Sequence, residues 1–245
     1  MNSFAGVLSH LLVAYTTLAW PWRGRSRYRA LQNQLTGSAP GARIGVYRQM
    51  LLHQAAIVLI VIFILWAGSI PRESVGLVIA GAQIRLVILL LAVIGISGLF
   101  FRWKGDRFVK RMLALSVAIL PGTAIERWWF AALSIGAGIS EELLFRGFLL
   151  YYLGRYLPEL SVWPQILIAS AVFGLAHLFQ GWRGTLATGA LGAVFGLLYA
   201  VTGSLFTPIV IHAAIDLRIL IVATPRRMRA LGLVTPVGSS IQRTE

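Results

Sequence analysis

Residues 128–153 read WWFAALSIGAGISEELLFRGFLLYYL, a run long enough to cross a hydrocarbon core that takes about 20 residues. Yet its middle is Ser140-Glu141-Glu142-Leu143-Leu144-Phe145-Arg146. An acidic side chain at the centre of a membrane helix costs roughly 2.5–3.5 kcal/mol on insertion scales, so it persists where pairing or function offsets that cost. The surroundings place this run in a membrane. The 245 residues are 58% hydrophobic and 12% charged, mean hydropathy is +0.78, and uncharged stretches reach 22, 23 and 32 residues. The expected fold is all-α, a polytopic transmembrane helical bundle of about 6–8 helices. After that many spans little chain remains for a second domain.

The 22 Lys+Arg against 8 Asp+Glu give a net charge of +14, and the sequence pI is near 11.4. In a soluble protein that balance points to nucleic acid. Here most basic residues fall in short segments beside apolar runs, with Arg23, Arg25, Arg27 and Arg29 densest, as expected of cytoplasmic loops facing anionic lipid. The lipid bilayer, and no nucleic acid, is the expected partner. The chain has no cysteine, which excludes disulfides, thiolate metal sites and a cysteine nucleophile. Met1-Asn2-Ser3 lacks the positive start of a secretory signal, so the first apolar stretch reads as an uncleaved anchor.

Along the chain, residues 4–20 form the first apolar segment. A loop from Pro21 to Arg48 follows, with six arginines and the breaker cluster Gly37-Ser38-Ala39-Pro40-Gly41. A second span covers about 50–70 and ends at Pro71. The run 74–101, interrupted only by Arg85, suits one long tilted helix or two shorter passes; Arg85 snorkels or marks the break. Arg102, Lys104, Arg107, Lys110 and Arg111 form another cytoplasmic loop. Residues 112–125 are short for a span and are expected to lie at the interface. Helices follow at about 128–153, 163–179, 185–201 and 206–223. A cytoplasmic tail with Arg226, Arg227, Arg229 and Arg243 ends the chain. Gly189, Gly192, Ala193 and Gly196 provide the small-residue spacing of closely packed helices.

The last helices also share a short set of polar residues. Glu142 and Arg146 stand at i,i+4 with the acid first, the favourable order for an intrahelical ion pair. Glu141 points about 100° away around the helix and is free to face the interior. Phe173 with His177, and His212 with Asp216, likewise share helix faces. Phe173 is read as a packing residue; His10 and His53, with no acidic neighbour in sequence, are read as structural. Two mechanisms suit the remaining set. In one, Glu141 takes a proton from a water held by His177, while His212, oriented by Asp216, stabilises a developing oxyanion. In the other, Glu141, His177 and His212 ligate a divalent metal, zinc, with an open fourth position. Both describe addition of water to a carbonyl.

The three pairs resemble the motifs of the intramembrane protease family named for CAAX proteases and bacteriocin-processing enzymes (CPBP, or Abi): Glu-Glu-x-x-x-Arg, Phe-x-x-x-His and His-x-x-x-Asn/Asp, present in order as Glu141-Glu142…Arg146, Phe173…His177 and His212…Asp216. The resemblance covers about 126–217. It divides the chain into N-terminal transmembrane helices with basic loops (1–125), a catalytic core (126–217), and the end of the last helix with a basic tail (218–245). It implies a site in a cavity open to the cytosolic side and the lipid, and similarity to type II CAAX prenyl endopeptidases, which remove a C-terminal tripeptide from prenylated proteins. The implied catalytic set is Glu141, Glu142, Arg146, His177, His212 and Asp216. The prenyl endopeptidases carry asparagine where this chain has Asp216, and an ionised carboxylate has no proton to give an oxyanion.

The expected function is thus a membrane-embedded endopeptidase acting on a membrane peptide or lipidated protein. The 20 arginines against 2 lysines suggest a high-GC bacterial genome, hence a bacterial cytoplasmic membrane. A non-catalytic scaffold or immunity factor on the same fold, and a proton- or ion-coupled transporter, are the competing classes. The concentration of acids in one constellation, with no pair of matching interrupted halves, disfavours the transporter.

Overall fold

Asn2 opens the first helix by accepting the Ala5 N–H at 2.9 Å, satisfying one of the donors a helix start leaves over. The computed structural model describes residues 2–35, 43–78, 81–113 and 118–232, and every regular element among them is a helix. The Gly37–Gly41 cluster, Arg243 and residues 114–117 of the expected interfacial segment lie outside the described residues.

Helix α1 (3–35) corrects the expected loop from Pro21. It runs through Ser3–Ala14, a π-helical turn at Tyr15–Ala19 and then Trp20–Leu35. Proline lacks an N–H and its ring collides with the carbonyl four residues back in an ordinary helix. The widened turn, in which Trp20 N–H bonds the Tyr15 carbonyl, comes just before Pro21 and lets the helix continue. The arginines beyond it are good helix formers, so charge alone does not end the helix. Helix α2 (Arg43–Ala67) likewise begins within the expected loop.

After a 3₁₀ turn at Arg72–Val75, α3 (Gly81–Trp103) is one helix without a break at Arg85, whose side chain is exposed. Gln83 Nε2 donates to the Thr202 carbonyl at 2.9 Å and fixes its start. The basic segment beyond Trp103 is also helical, as α4 (Asp106–Leu113). Helix α5 (124–156) is longer than the expected 128–153. Thr123 and Glu126 form a reciprocal capping box at its start, and a second π-helical turn, Leu143–Leu149, interrupts it before Leu150–Tyr156.

Helix α6 (Val162–Ala176) stops three residues short of expectation, so His177 is its C-terminal cap rather than part of its last turn. A 3₁₀ turn, Leu178–Gln180, leads into α7 (Gly181–Thr202). The final expected helix is divided into α8 (Phe206–Leu217) and α9 (Ile219–Val222), before α10 (Pro225–Ala230).

Helix α5 is central, packing on α2 and α8, while α6 packs along α7. A Cβ at Gly138 would stand 2.8 Å from the Ile209 carbonyl oxygen and 3.1 Å from Ala213 Cβ, so α5 and α8 approach at backbone contact. One turn on from Gly138 is Glu142, and between Ile209 and Ala213 is His212; this crossing sets the site. By length and composition, Ser3–Asn33, Arg43–Ala67, Gln83–Trp103 and Leu178–Thr202 can cross a membrane. Their outward faces carry apolar residues such as Leu59, Ile96 and Val201, the surface of a protein dissolved in lipid.

Candidate active site

Glu142 ends the regular first part of α5, and Arg146 lies inside the π-helical turn that follows. Glu142 is 0% and Arg146 2% exposed, and Arg146 Nη1 donates to Glu142 Oε1 at 2.8 Å, so the expected ion pair forms in full burial. The guanidinium also donates through Nη2 to the Gly192 carbonyl at 3.0 Å. It lies between the Phe173 ring at 4.3 Å and the Phe195 ring at 5.2 Å. A Cβ at Gly192 would come within 3.0 Å of Phe173 and 3.2 Å of Arg146 Nη2, so the small residue on α7 makes room for the cation. Buried charges need this density of partners.

Glu142 Oε1 has a second partner. His212 Nδ1 lies 2.7 Å from it, reaching across from α8. A carboxylate paired with arginine is an acceptor, so Nδ1 carries the hydrogen and Nε2 is the nitrogen presented to the interior. The His212 ring stacks on Phe195, with centroids 5.0 Å apart and planes 17° from parallel. Asp216, expected to orient this ring, is 3.9 Å from Nε2 and therefore makes no direct hydrogen bond to it. The orienting carboxylate is Glu142.

His177 is fixed by the same logic. Its Nδ1 is 2.9 Å from the Phe173 carbonyl oxygen, which can only accept, so Nδ1 donates and Nε2 faces the interior. The Phe173 ring meets His177 edge-on at 4.8 Å. Phe173 therefore packs, as expected, and also holds the histidine through its backbone.

The two Nε2 atoms converge on Glu141. Its Oε2 is 3.8 Å from His177 Nε2 and 3.9 Å from His212 Nε2. This oxygen is buried and has no hydrogen-bond partner among the described residues. Polar atoms beyond about 3.5 Å interact through a water or a substrate atom rather than directly. Ligands at 2.0–2.2 Å around tetrahedral zinc stand roughly 3.3–3.5 Å from one another. Glu141 Oε2 stands wider than that from each histidine, and no three His, Asp or Glu among the described residues are arranged as a metal-holding group. Asp216 and Arg218 line a cavity of about 130 Å³ together with Leu113, Leu120, Ile215, Ile219 and Val222.

The structure thus brings together Glu141, Glu142, Arg146, His177, His212 and Asp216, with Asp216 at the edge. The sequence reading did not single out Phe195, although its place three residues after Gly192 puts it on the same face of α7. It also passed over the fully buried Glu126, whose Oε2 accepts from the backbone of Gly122 at 2.7 Å and Thr123 at 3.1 Å. The spacing of Thr123 and Glu126 was the available signal. His10 Nδ1 lies 2.6 Å from the Tyr152 hydroxyl and His53 Nε2 3.2 Å from the Tyr15 hydroxyl; His53 is also within electrostatic reach of Glu141.

Residues 123–218 match the family model described as Type II CAAX prenyl endopeptidase Rce1-like, the family to which the three motifs point. The match starts at the cap of α5 and ends just past Asp216, so it contains α5 to α8 and all six site residues. Neither the curated proteins nor the solved structures yield a match.

Proposed function

We propose, from the premise that residues 123–218 form an Rce1-like segment, that this protein is a membrane-embedded endopeptidase hydrolysing a peptide bond of a membrane peptide or lipidated protein, with Glu141 as the general base. The observation that supports this reading best is the convergence of His177 Nε2 and His212 Nε2, at 3.8 and 3.9 Å, on Glu141 Oε2, which has no hydrogen-bond partner among the described residues.

A water bridging Glu141 and His177 donates one hydrogen to each, because both present acceptors. As its oxygen attacks the substrate carbonyl carbon, Glu141 takes a proton. The carbonyl oxygen becomes an oxyanion, to which His212 donates from Nε2. For this His212 must be the imidazolium, with Nδ1–H held on Glu142; the surrounding carboxylates of Glu141, Glu142 and Asp216 compensate its charge. When the intermediate collapses, the C–N bond breaks and Glu141 returns the proton to the leaving amine. One water is consumed, and Glu141 ends as it began.

A divalent ion held by Glu141, His177 and His212 would supply Lewis-acid activation of the same water. The 3.8 and 3.9 Å separations of Glu141 from the two histidines favour the residue-only route. The test is cleavage of a farnesylated CAAX peptide by the purified full chain in lipid nanodiscs, read by mass spectrometry. The wild type is expected to cleave and Glu141→Gln to lose about 10²–10⁴-fold. Cleavage by Glu141→Gln at the wild-type rate would overturn the reading. Loss on chelation with recovery on added zinc would move water activation to a metal.

A further inference from the structure

Away from this site, the end of α3 meets α10 in an open hollow of about 400 Å³ whose lining is unusually basic. Arg102, Lys104, Arg226 and Arg227 face it, against the single carboxylate of Asp106. Arg227 is committed to building the hollow. It donates from Nε to Asp106 Oδ1 at 3.2 Å, from Nη1 to the Arg102 carbonyl at 2.9 Å and from Nη2 to the Lys104 carbonyl at 2.6 Å. It thereby closes the carbonyls left over at the end of α3. Its charge is met by Asp106 and those carbonyls, whereas Arg102, Lys104 and Arg226 surround the opening.

What leads into the hollow indicates what it takes. The span Gln83–Trp103 is the least buried of the four, with 11% of its apolar window inside the protein. Ile88, Leu89, Val93, Ile96, Leu99 and Phe100 are exposed along it. Trp103, 93% exposed, marks the boundary, as tryptophans do where hydrocarbon gives way to headgroups. Lys104 Nζ lies over the Phe100 ring at 4.7 Å, so the first cation stands directly against the last lipid-facing ring. A ligand following this surface is apolar over the length of a helix and anionic at its end. We infer that the hollow between α3 and α10 is a binding site for the headgroup of an anionic phospholipid, whose acyl chains lie along the outer face of α3. Basic pockets at the ends of membrane helices recognise such headgroups. A free phosphate would use the cations without needing the apolar approach.

The full chain in detergent, delipidated and then mixed with equal amounts of phosphatidylglycerol and phosphatidylcholine, tests this by native mass spectrometry. The wild type is expected to retain phosphatidylglycerol selectively. The triple variant Arg102→Gln, Lys104→Gln, Arg226→Gln is expected to bind it about tenfold more weakly or worse. Removing the same number of charges from α1, as Arg23→Gln, Arg27→Gln, Arg29→Gln, is expected to leave selective retention in place. Circular dichroism on both variants checks folding, and millimolar inorganic phosphate is expected not to displace the lipid. Equal retention of the two lipids, equal loss in the two triple variants, or displacement by inorganic phosphate would each overturn the assignment. The readout is lipid bound, so it stands whether or not the protein cleaves peptides.

Discussion

His212 Nδ1 lies 2.7 Å from Glu142 Oε1, and that oxygen also receives the Arg146 guanidinium at 2.8 Å. One buried oxygen therefore couples the end of regular α5, the π-helical turn after it and α8. In the proposed mechanism Glu142 acts through His212 rather than on the substrate, while its neighbour Glu141 faces the two presented Nε2 atoms. The two adjacent acids should respond differently to the same substitution.

Glu142→Gln leaves Arg146 buried without its counter-ion. Breaking one side of a buried pair costs about 3–5 kcal/mol, so this variant is expected to unfold well below the wild type in a thermal melt in detergent. Glu141→Gln removes an oxygen that has no hydrogen-bond partner among the described residues and should stay within about 1 kcal/mol of the wild type. Equal destabilisation by the two variants would refute this division of roles.

Much of this site was legible in the chain. The Glu142–Arg146 pair follows from i,i+4 spacing on one helix, and no tertiary knowledge is needed to expect it. The Glu142–His212 bond depends instead on where α5 crosses α8. That is set by the fit of Gly138 against Ile209 and Ala213, and periodicity does not report a partner helix. Asp216 shares a helix face with His212, which points to an orienting role, but the nearer carboxylate comes from another helix. The fold class was plain from composition. In the arginine-rich stretch after Pro21, a proline next to charges resembles a helix end, and the π-helical turn at Tyr15–Ala19 that lets the helix continue has no clear signature in sequence.

Asp216 Oδ2 sits 3.9 Å from His212 Nε2 with no direct bond to it. Asp216→Asn is therefore expected to retain cleavage within about tenfold of the wild type, since an amide can donate to an oxyanion where a carboxylate cannot. A loss as large as that of Glu141→Gln would make the Asp216 carboxylate itself part of the chemistry.

Phe195 supports both the His212 ring, at 5.0 Å, and the Arg146 guanidinium, at 5.2 Å. Phe195→Leu keeps apolar volume but removes the flat face. It is expected to lower kcat with little change in KM, because His212 loses its fixed orientation, and to cost about 1–2 kcal/mol in stability. A rise in KM alone would place Phe195 in substrate binding instead.

Gly192→Ala would push a methyl group to within 3.0 Å of the Phe173 ring and 3.2 Å of Arg146 Nη2. Overpacking of this kind costs about 1–3 kcal/mol, measurable as a lower unfolding temperature. Gly45→Ala, where nothing lies within 4 Å of the added carbon, is expected to leave that temperature unchanged or raise it. A Gly192→Ala protein as stable as the wild type would show that the guanidinium cradle has slack.

Whether Glu141 performs hydrolysis on a membrane substrate is read by comparing peptide termini in native membranes. Three strains are needed: wild type, a deletion, and Glu141→Gln made at normal abundance. A terminus present in the wild type is expected to be missing from both mutants. If the deletion loses that terminus while Glu141→Gln retains it, Glu141 is not the base and the mechanism proposed here is wrong.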